Sequence, residues 1–197
     1  MEYNRGMEMS FKIATAVLVI LYSILRRIYE YQYQGVPHAS ATQSLRQKVL
    51  YGLVTFAWVP IAAYLATPWL DVFAFPLPAW IRIIGEILLL ASMLLFYVCH
   101  RELGRNWSPK LEISEDHRLI TSGPYQSVRH PMYTSFFLFG LGLLLATANL
   151  MVGGFYLVAM FTLYVERVDE EEALMIEQFG DAYREYMQRT GRLLPRR

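Results

Sequence analysis

Two short stretches hold most of the side chains that could do chemistry. The first, Ser122-Gly-Pro-Tyr-Gln-Ser-Val-Arg-His-Pro-Met-Tyr133, sets an Arg-His pair at the mouth of a tract, Met132–Val165, that carries no charge over 34 residues. The second, Glu166-Arg-Val-Asp-Glu-Glu-Glu-Ala-Leu174, begins where that tract ends. Arg167 and Glu171 are four apart and share one face of a helix, continued by Leu174 and Gln178. Such a pair can orient an anionic ligand, or it can be a membrane-proximal salt bridge of little energetic worth. Pro131 suits the first turn of a helix, where its missing N–H is not needed. His130 then falls at or just before the N-cap, where free N–H groups and partial positive charge favour an anionic ligand group. On residue chemistry alone, His130 is equally a cap, and Glu170-Glu171-Glu172 is equally a solvated charge run.

Several other chemistries are excluded. The histidines at 38, 100, 117 and 130 show no metal-ligand spacing, and the single Cys99 permits neither a disulfide framework nor a cysteine zinc cluster, so no metal is assigned. No Gly-x-Gly-x-x-Gly follows a strand, and there is no P-loop or Gly-x-Ser-x-Gly elbow. A net charge of +1 offers no electrostatic case for nucleic acid.

The elements that position these residues follow from composition. The chain is 55% hydrophobic and only 18% charged, against about 25% charged in soluble domains. Phe11–Leu25, Val49–Leu70 and Pro78–Cys99 each read as one membrane span of about 20 residues. Tyr22, Tyr29, Tyr31 and Tyr33 are suited to anchor the first at the interface. The 34-residue tract is too long for one span; its middle, Ala146-Thr-Ala-Asn-Leu150, suits a tight turn. It predicts a hairpin of two short helices, Pro131–Thr147 and Leu150–Glu166, with Gly140, Gly142, Gly153 and Gly154 allowing close approach. Gly180 then ends a helix and Asp181 caps a last one through Gln188. No cleavable leader pattern stands at the N-terminus, so targeting is expected to rest on the first span.

Five alternating spans place 15 of the 18 lysines and arginines on one side, the cytoplasmic side by the positive-inside rule. The expected fold is therefore an all-α integral membrane protein with five transmembrane helices, its N-terminus outside and its C-terminus in the cytoplasm. Residues 1–99 form a three-helix membrane region. Residues 100–197 hold a cytoplasmic loop, the hairpin and the C-terminal helices. Both polar stretches meet on the cytoplasmic face, of the plasma membrane in a prokaryote or the endoplasmic reticulum in a eukaryote.

Taken together, Leu103-Gly-Arg-Asn-Trp-Ser108, Asp116-His-Arg-Leu-Ile-Thr-Ser-Gly-Pro-Tyr125, Arg129-His-Pro-Met-Tyr133 and Arg167-x-x-x-Glu171-Glu172-x-Leu174 with Phe179-Gly180-x-x-Tyr183-x-x-Tyr186 resemble the isoprenylcysteine carboxyl methyltransferase family, in its short prokaryotic form. The resemblance covers about residues 100–195. One departure is Ser135, where many relatives have Gly.

The resemblance implies an S-adenosylmethionine-dependent carboxyl O-methyltransferase without a Rossmann fold, with S-adenosylhomocysteine as product. The cofactor would be lined by His117, Arg118, Leu119, Ile120, Tyr125, His130, Pro131, Met132, Tyr133 and Glu171. Arg167 would take the acceptor carboxylate, with Arg129 and Glu172 as further catalytic candidates. The partners implied are membrane lipids and a lipophilic small molecule or lipidated peptide, with no nucleic acid and no metal. A phospholipid amine N-methyltransferase is the nearest alternative, followed by an NADPH-dependent sterol reductase-like protein and a membrane protein without enzymatic activity.

Overall fold

The computed structural model describes residues 2–33, 44–104 and 118–196. Its helices are α1 (Glu2–Tyr33), α2 (Leu45–Phe56), α3 (Trp58–Ala66), α4 (Ala79–Leu103), α5 (Pro131–Thr147), α6 (Phe155–Phe179) and α7 (Asp181–Arg189). Among the described residues, β pairing is limited to two isolated bridges, Ala74–Asn149 and Val128–Gly191.

Four segments, Gly6–Gln32, Leu45–Ala66, Ala79–Leu103 and Leu150–Phe179, are long and apolar enough to cross a membrane; Pro131–Thr147 is a shorter apolar helix. Against the five spans expected, four are long and the fifth apolar helix, α5, has 17 residues. At 1.5 Å per residue it reaches about 26 Å, just under the roughly 30 Å hydrocarbon core. The second pass is bent at Ala57, between α2 and α3. Pro60 has no N–H for the carbonyl of Phe56, which interrupts the helix there.

The predicted hairpin turn is built by Ala148 and Asn149. Ala148 takes a left-handed conformation, φ 47°. The Asn149 side-chain oxygen accepts from the N–H groups of Met151 and Val152 at 3.1 and 3.2 Å. Its amide donates to the carbonyl of Leu70 at 2.7 Å, tying the hairpin to the end of the second pass. A π-helical turn, Leu150–Gly154, then leads into α6. Gly140 lies against Tyr156 and Leu157, and Gly153 against the backbone of Leu144, as a close hairpin requires. Gly142 instead meets Leu89 and the carbonyl of Gly85 on α4, and Gly154 faces only Leu150 in its own turn. Residues two apart on a helix point to roughly opposite sides, so Gly140 and Gly142 serve different neighbours.

Aromatic rings fill the centre. Tyr22 of α1 stacks 4.3 Å from Phe139 of α5 and lies 4.9 Å from Phe96 of α4, and Phe139 lies 5.2 Å from Tyr156 of α6. Outward faces are apolar as well: Ile13, Val17, Ile20 and Ile24 on α1, Ile87 and Leu94 on α4, and Val158 and Phe161 on α6 are exposed. In water such a surface would associate; in a bilayer it is the lipid-facing surface.

Successive passes run in opposite directions. The ends of α1, α4 and α6 therefore gather with the beginnings of α2 and α5 at one end of the bundle, where both polar stretches lie. Leu150–Phe179 is about 45 Å long at 1.5 Å per residue, so its charged part after Val165 projects beyond the hydrocarbon. The opposite end is locked by buried Arg82, whose Nε donates to the carbonyl of Ala146 at 2.9 Å and whose Nη1 donates to Glu8 at 2.6 Å. There Thr15 also donates to Glu86 at 2.7 Å.

Candidate active site

His130 is the N-cap of α5 and Pro131 its first residue. The first backbone bond of the helix runs from the N–H of Thr134 to the carbonyl of His130, at 3.3 Å. The N–H groups of Met132 and Tyr133 therefore precede the helix's own ladder and point out of its N-terminus. The turn before it, Gly123–Gln126, is a 3₁₀ segment opened by Gly123 at φ 57°. Ser122 Oγ donates to Glu102 at 2.6 Å, which ties this turn to the end of α4.

Two neighbouring carboxylates on α6 organise the site. Glu171 accepts from Arg167 Nη2 at 2.9 Å and from the Tyr133 hydroxyl at 2.8 Å. Its other oxygen lies 3.7 Å from His130 Nδ1. Arg167 is buried; its Nη1 donates to the hydroxyl of Tyr51 on α2 at 3.3 Å, and its guanidinium lies 5.6 Å from the centre of the Tyr51 ring. α2 and α6 thus meet at one cation, and α5 joins them through the Tyr133–Glu171 bond.

Glu172, only 3% exposed, accepts from Arg129 Nε at 2.8 Å, from His130 Nε2 at 3.1 Å and from Arg192 Nη2 at 2.7 Å. Burial pushes its carboxyl up, but His130, Arg129 and Arg192 outweigh that and hold it down at about 2. An ionised carboxylate only accepts hydrogen bonds, so His130 Nε2 is a donor in this contact. Arg192 also bridges to Asp169 at 2.7 Å. The Glu172 bond is the first cause of its raised guanidinium pKa.

Arg129 is anchored further through Nη1, which donates to the carbonyls of Met187, at 3.1 Å, and of Thr190. Residues 190–193 run alongside this stretch as a strap. The N–H of Arg129 donates to the carbonyl of Gly191 at 2.8 Å and that of His130 to the carbonyl of Arg192 at 2.9 Å. Thr134 Oγ1 donates to the carbonyl of Leu193 at 2.9 Å. Below the strap, the Tyr186 hydroxyl of α7 donates to the carbonyl of Tyr125 at 2.6 Å. Burial pushes that phenol up to about 12 against the pull of Arg129, so it stays a donor.

Of the residues named from sequence, Arg129, His130 and Glu172 form one hydrogen-bonded group and Tyr133, Arg167 and Glu171 another, the two approaching to 3.7 Å at His130 Nδ1 and Glu171. Pro131 is buried and Met132 half-buried beside them. Tyr125 is buried in the turn, and its carbonyl accepts from the Tyr186 hydroxyl. Arg118 is exposed, and Leu119 and Ile120 half-buried, on the run into that turn. His117 lies outside the described residues, as does most of the Leu103–Ser108 motif. The last helix, expected to be capped by Asp181 and to run through Gln188, instead takes Asp181 as its first residue and ends at Arg189, because Gly180 at φ 55° serves as both the C-cap of α6 and the N-cap of α7. Sequence reasoning missed Tyr51, Asp169, Thr190 and Arg192. Tyr51 reads as a tyrosine at the edge of a span, and Arg192 as one more positive charge in the tail.

Fold and site define a class: an all-helical, multi-pass membrane protein with an ionic site at one end of its bundle, behind which stands an apolar hairpin. Residues 83–177 match the model of the Isoprenylcysteine carboxyl methyltransferase (ICMT) family. It is similar to the protein-S-isoprenylcysteine O-methyltransferase of Xenopus laevis, 34% identical over 59% of this chain and 41% of the relative. The Homo sapiens protein of the same name is 30% identical over 59% of this chain and 42% of the relative. The chain thus spans about two fifths of the length of these relatives. A solved structure of the eukaryotic intramembrane Ras methyltransferase ICMT is alike with TM-score 0.55 and 26% identity, over 79% of this chain and 54% of that one.

Proposed function

We propose that this protein transfers a methyl group from S-adenosylmethionine to the carboxylate of a lipidated, isoprenylcysteine-like acceptor. The observation that carries this reading is the buried Arg167, which already holds a carboxylate, Glu171, at 2.9 Å within the family-matched region.

The residues present fit the cofactor by their chemistry. Glu171 is an anion suited to amino or ribose groups. The N-terminus of α5 is suited to an anionic group. Met132, Leu119 and Ile120 offer apolar surface. When bound, S-adenosylmethionine supplies an electrophilic methyl group on a cationic sulfonium.

A carboxylate acceptor is ionised at neutral pH, so the protein needs no general base; its work is positioning and exclusion of water. Arg167 orients the acceptor carboxylate. Tyr133 holds Glu171 towards the cofactor. Arg129 and Glu172 act as positioning residues, because each is taken up by the other and by the strap. The apolar hairpin keeps the reacting groups dry, and a dry pocket favours the neutralisation of an anion by a cation. In this reading residues 100–197 form the catalytic region and residues 1–99 the membrane region. The site faces the cytoplasm and the N-terminus lies outside, following the positive charges.

The test is a methylation assay on purified protein with labelled S-adenosylmethionine and a panel of acceptors. N-acetyl-S-farnesylcysteine and related lipidated acids should be methylated and phosphatidylethanolamine should not. Methylation of the amine lipid alone would replace this reading with an N-methyltransferase. Failure to bind S-adenosylhomocysteine in calorimetry would remove the methyltransferase assignment.

A further inference from the structure

One wall of the Arg167 cell comes from outside the family-matched region. Tyr51 stands on α2, and the match begins at residue 83. We propose that Tyr51 is a positioning residue for acceptor specificity, fixing the Arg167 guanidinium so that the site takes a carboxylate and not an amine. This rests on the carboxyl methyltransferase reading above.

Three observations support it. First, an arginine side chain carries considerable rotamer freedom, and Arg167 is restrained from two directions. Glu171, on its own helix, engages Nη2 at 2.9 Å. Tyr51, on a different helix, engages Nη1 at 3.3 Å and sets its ring 5.6 Å from the guanidinium. The second restraint ties the cation to a neighbouring pass.

Second, the phenol is itself held in place. α2 starts in a capping box, with Ser44 accepting from the N–H of Gln47 and Gln47 accepting from the N–H of Ser44. A little over one turn before Tyr51, Arg46 donates to Glu166 at 2.6 Å and to Glu170 at 3.1 Å. These exposed contacts join the start of α2 to the part of α6 that carries Arg167.

Third, the chemistry of the pair is selective. Tyr51 meets Arg167 with a phenol oxygen and a ring face and adds no second carboxylate beside Glu171. An acceptor carboxylate can take the place of Glu171 on the guanidinium, and an ammonium headgroup cannot. A tyrosine serving only as an interfacial anchor would need its ring near the surface, with no such bond to a buried cation.

The experiment measures acceptor and donor kinetics for Tyr51→Phe and Tyr51→Leu, with N-acetyl-S-farnesylcysteine as acceptor. Gel filtration and the thermal midpoint confirm folding. Tyr51→Phe should raise the acceptor KM roughly fivefold, the worth of one hydrogen bond. Both kcat and the donor KM should stay within about twofold, the signature of lost acceptor binding. Tyr51→Leu should raise the acceptor KM by about 50-fold, since the ring contact goes too. If Tyr51→Leu does not fold, Tyr51→Phe decides. An unchanged acceptor KM in Tyr51→Phe overturns the proposal, and so does an equal rise in both KM values. Should the wild-type protein methylate no lipidated acid, the reaction reading fails on its own. Tyr51 is then judged by direct calorimetric binding of N-acetyl-S-farnesylcysteine. A fivefold weaker affinity in Tyr51→Phe supports its role; equal affinity, or no binding by either protein, overturns it.

Discussion

Two arginine–glutamate pairs sit side by side at the end of this bundle and are built differently. Glu172 and Arg129 form a closed cell. The carboxylate is surrounded by Arg129, His130 and Arg192, and the guanidinium reaches the carbonyls of Met187 and Thr190. Backbone and side chains close this cell from both ends of the polar region. Glu171 and Arg167 form an open cell whose named partners, Tyr133 and Tyr51, are side-chain hydroxyls at the ends of long groups. Side chains can turn away when a ligand arrives, and main-chain carbonyls cannot. In the proposed reading the difference separates what holds the site from what meets the ligand, although adjacent residues of one helix supply both acids.

The contrast can be broken in four ways. Arg167→Ala should have the largest effect on catalysis, lowering methyl transfer by about 100-fold or more, because it removes the charged partner of the acceptor. Binding of S-adenosylhomocysteine, read by calorimetry, should stay within about threefold. Loss of that binding in a folded protein would merge the two cells into one. Glu172→Ala should act instead through stability. It strands buried Arg129 and its neighbours, costing about 3–5 kcal/mol, so the thermal midpoint, cofactor binding and methyl transfer should fall together. Arg192→Ala removes the most exposed donor of the closed cell and should cost at most about 1 kcal/mol, seen as a lowered midpoint with the acceptor KM unchanged. Smallest of all, Arg46→Ala breaks exposed bridges to Glu166 and Glu170. It should leave the thermal midpoint unchanged within error at physiological salt; a large drop would show that the α2–α6 register depends on it.

Much of this architecture was legible in the residues. The hairpin Pro131–Thr147 and its turn at Asn149 followed from the length of a charge-free tract and one polar interruption, since the bilayer sets a narrow range of span lengths. The cap at His130 and the break at Gly180 followed from local backbone rules. Arg167 and Glu171 followed from helical spacing. What escaped depends on neighbours distant in sequence. Tyr51 meets Arg167 across 116 residues, and nothing local distinguishes it from an interfacial tyrosine. Arg192 reaches Glu172 only because α7 folds back, and Gly142 serves α4 rather than the hairpin because of helix rotation. The bend at Ala57 was readable from Pro60 but was masked by a run that looked like one straight span.

The strap carries a consequence for how the protein is made. His130 and Arg129 give their backbone N–H groups to residues about 60 positions later. Chains are synthesised from the N-terminus and fold in that order. All the apolar passes therefore leave the ribosome before Gly191 and Arg192 do. The helices can enter the membrane and find one another while the ionic centre is still unfinished, and the centre closes only when the strap emerges. Translation itself thus separates insertion from completion of the ionic centre, and a nascent chain stopped short of residue 190 would lack the strap's carbonyls for Arg129 and His130.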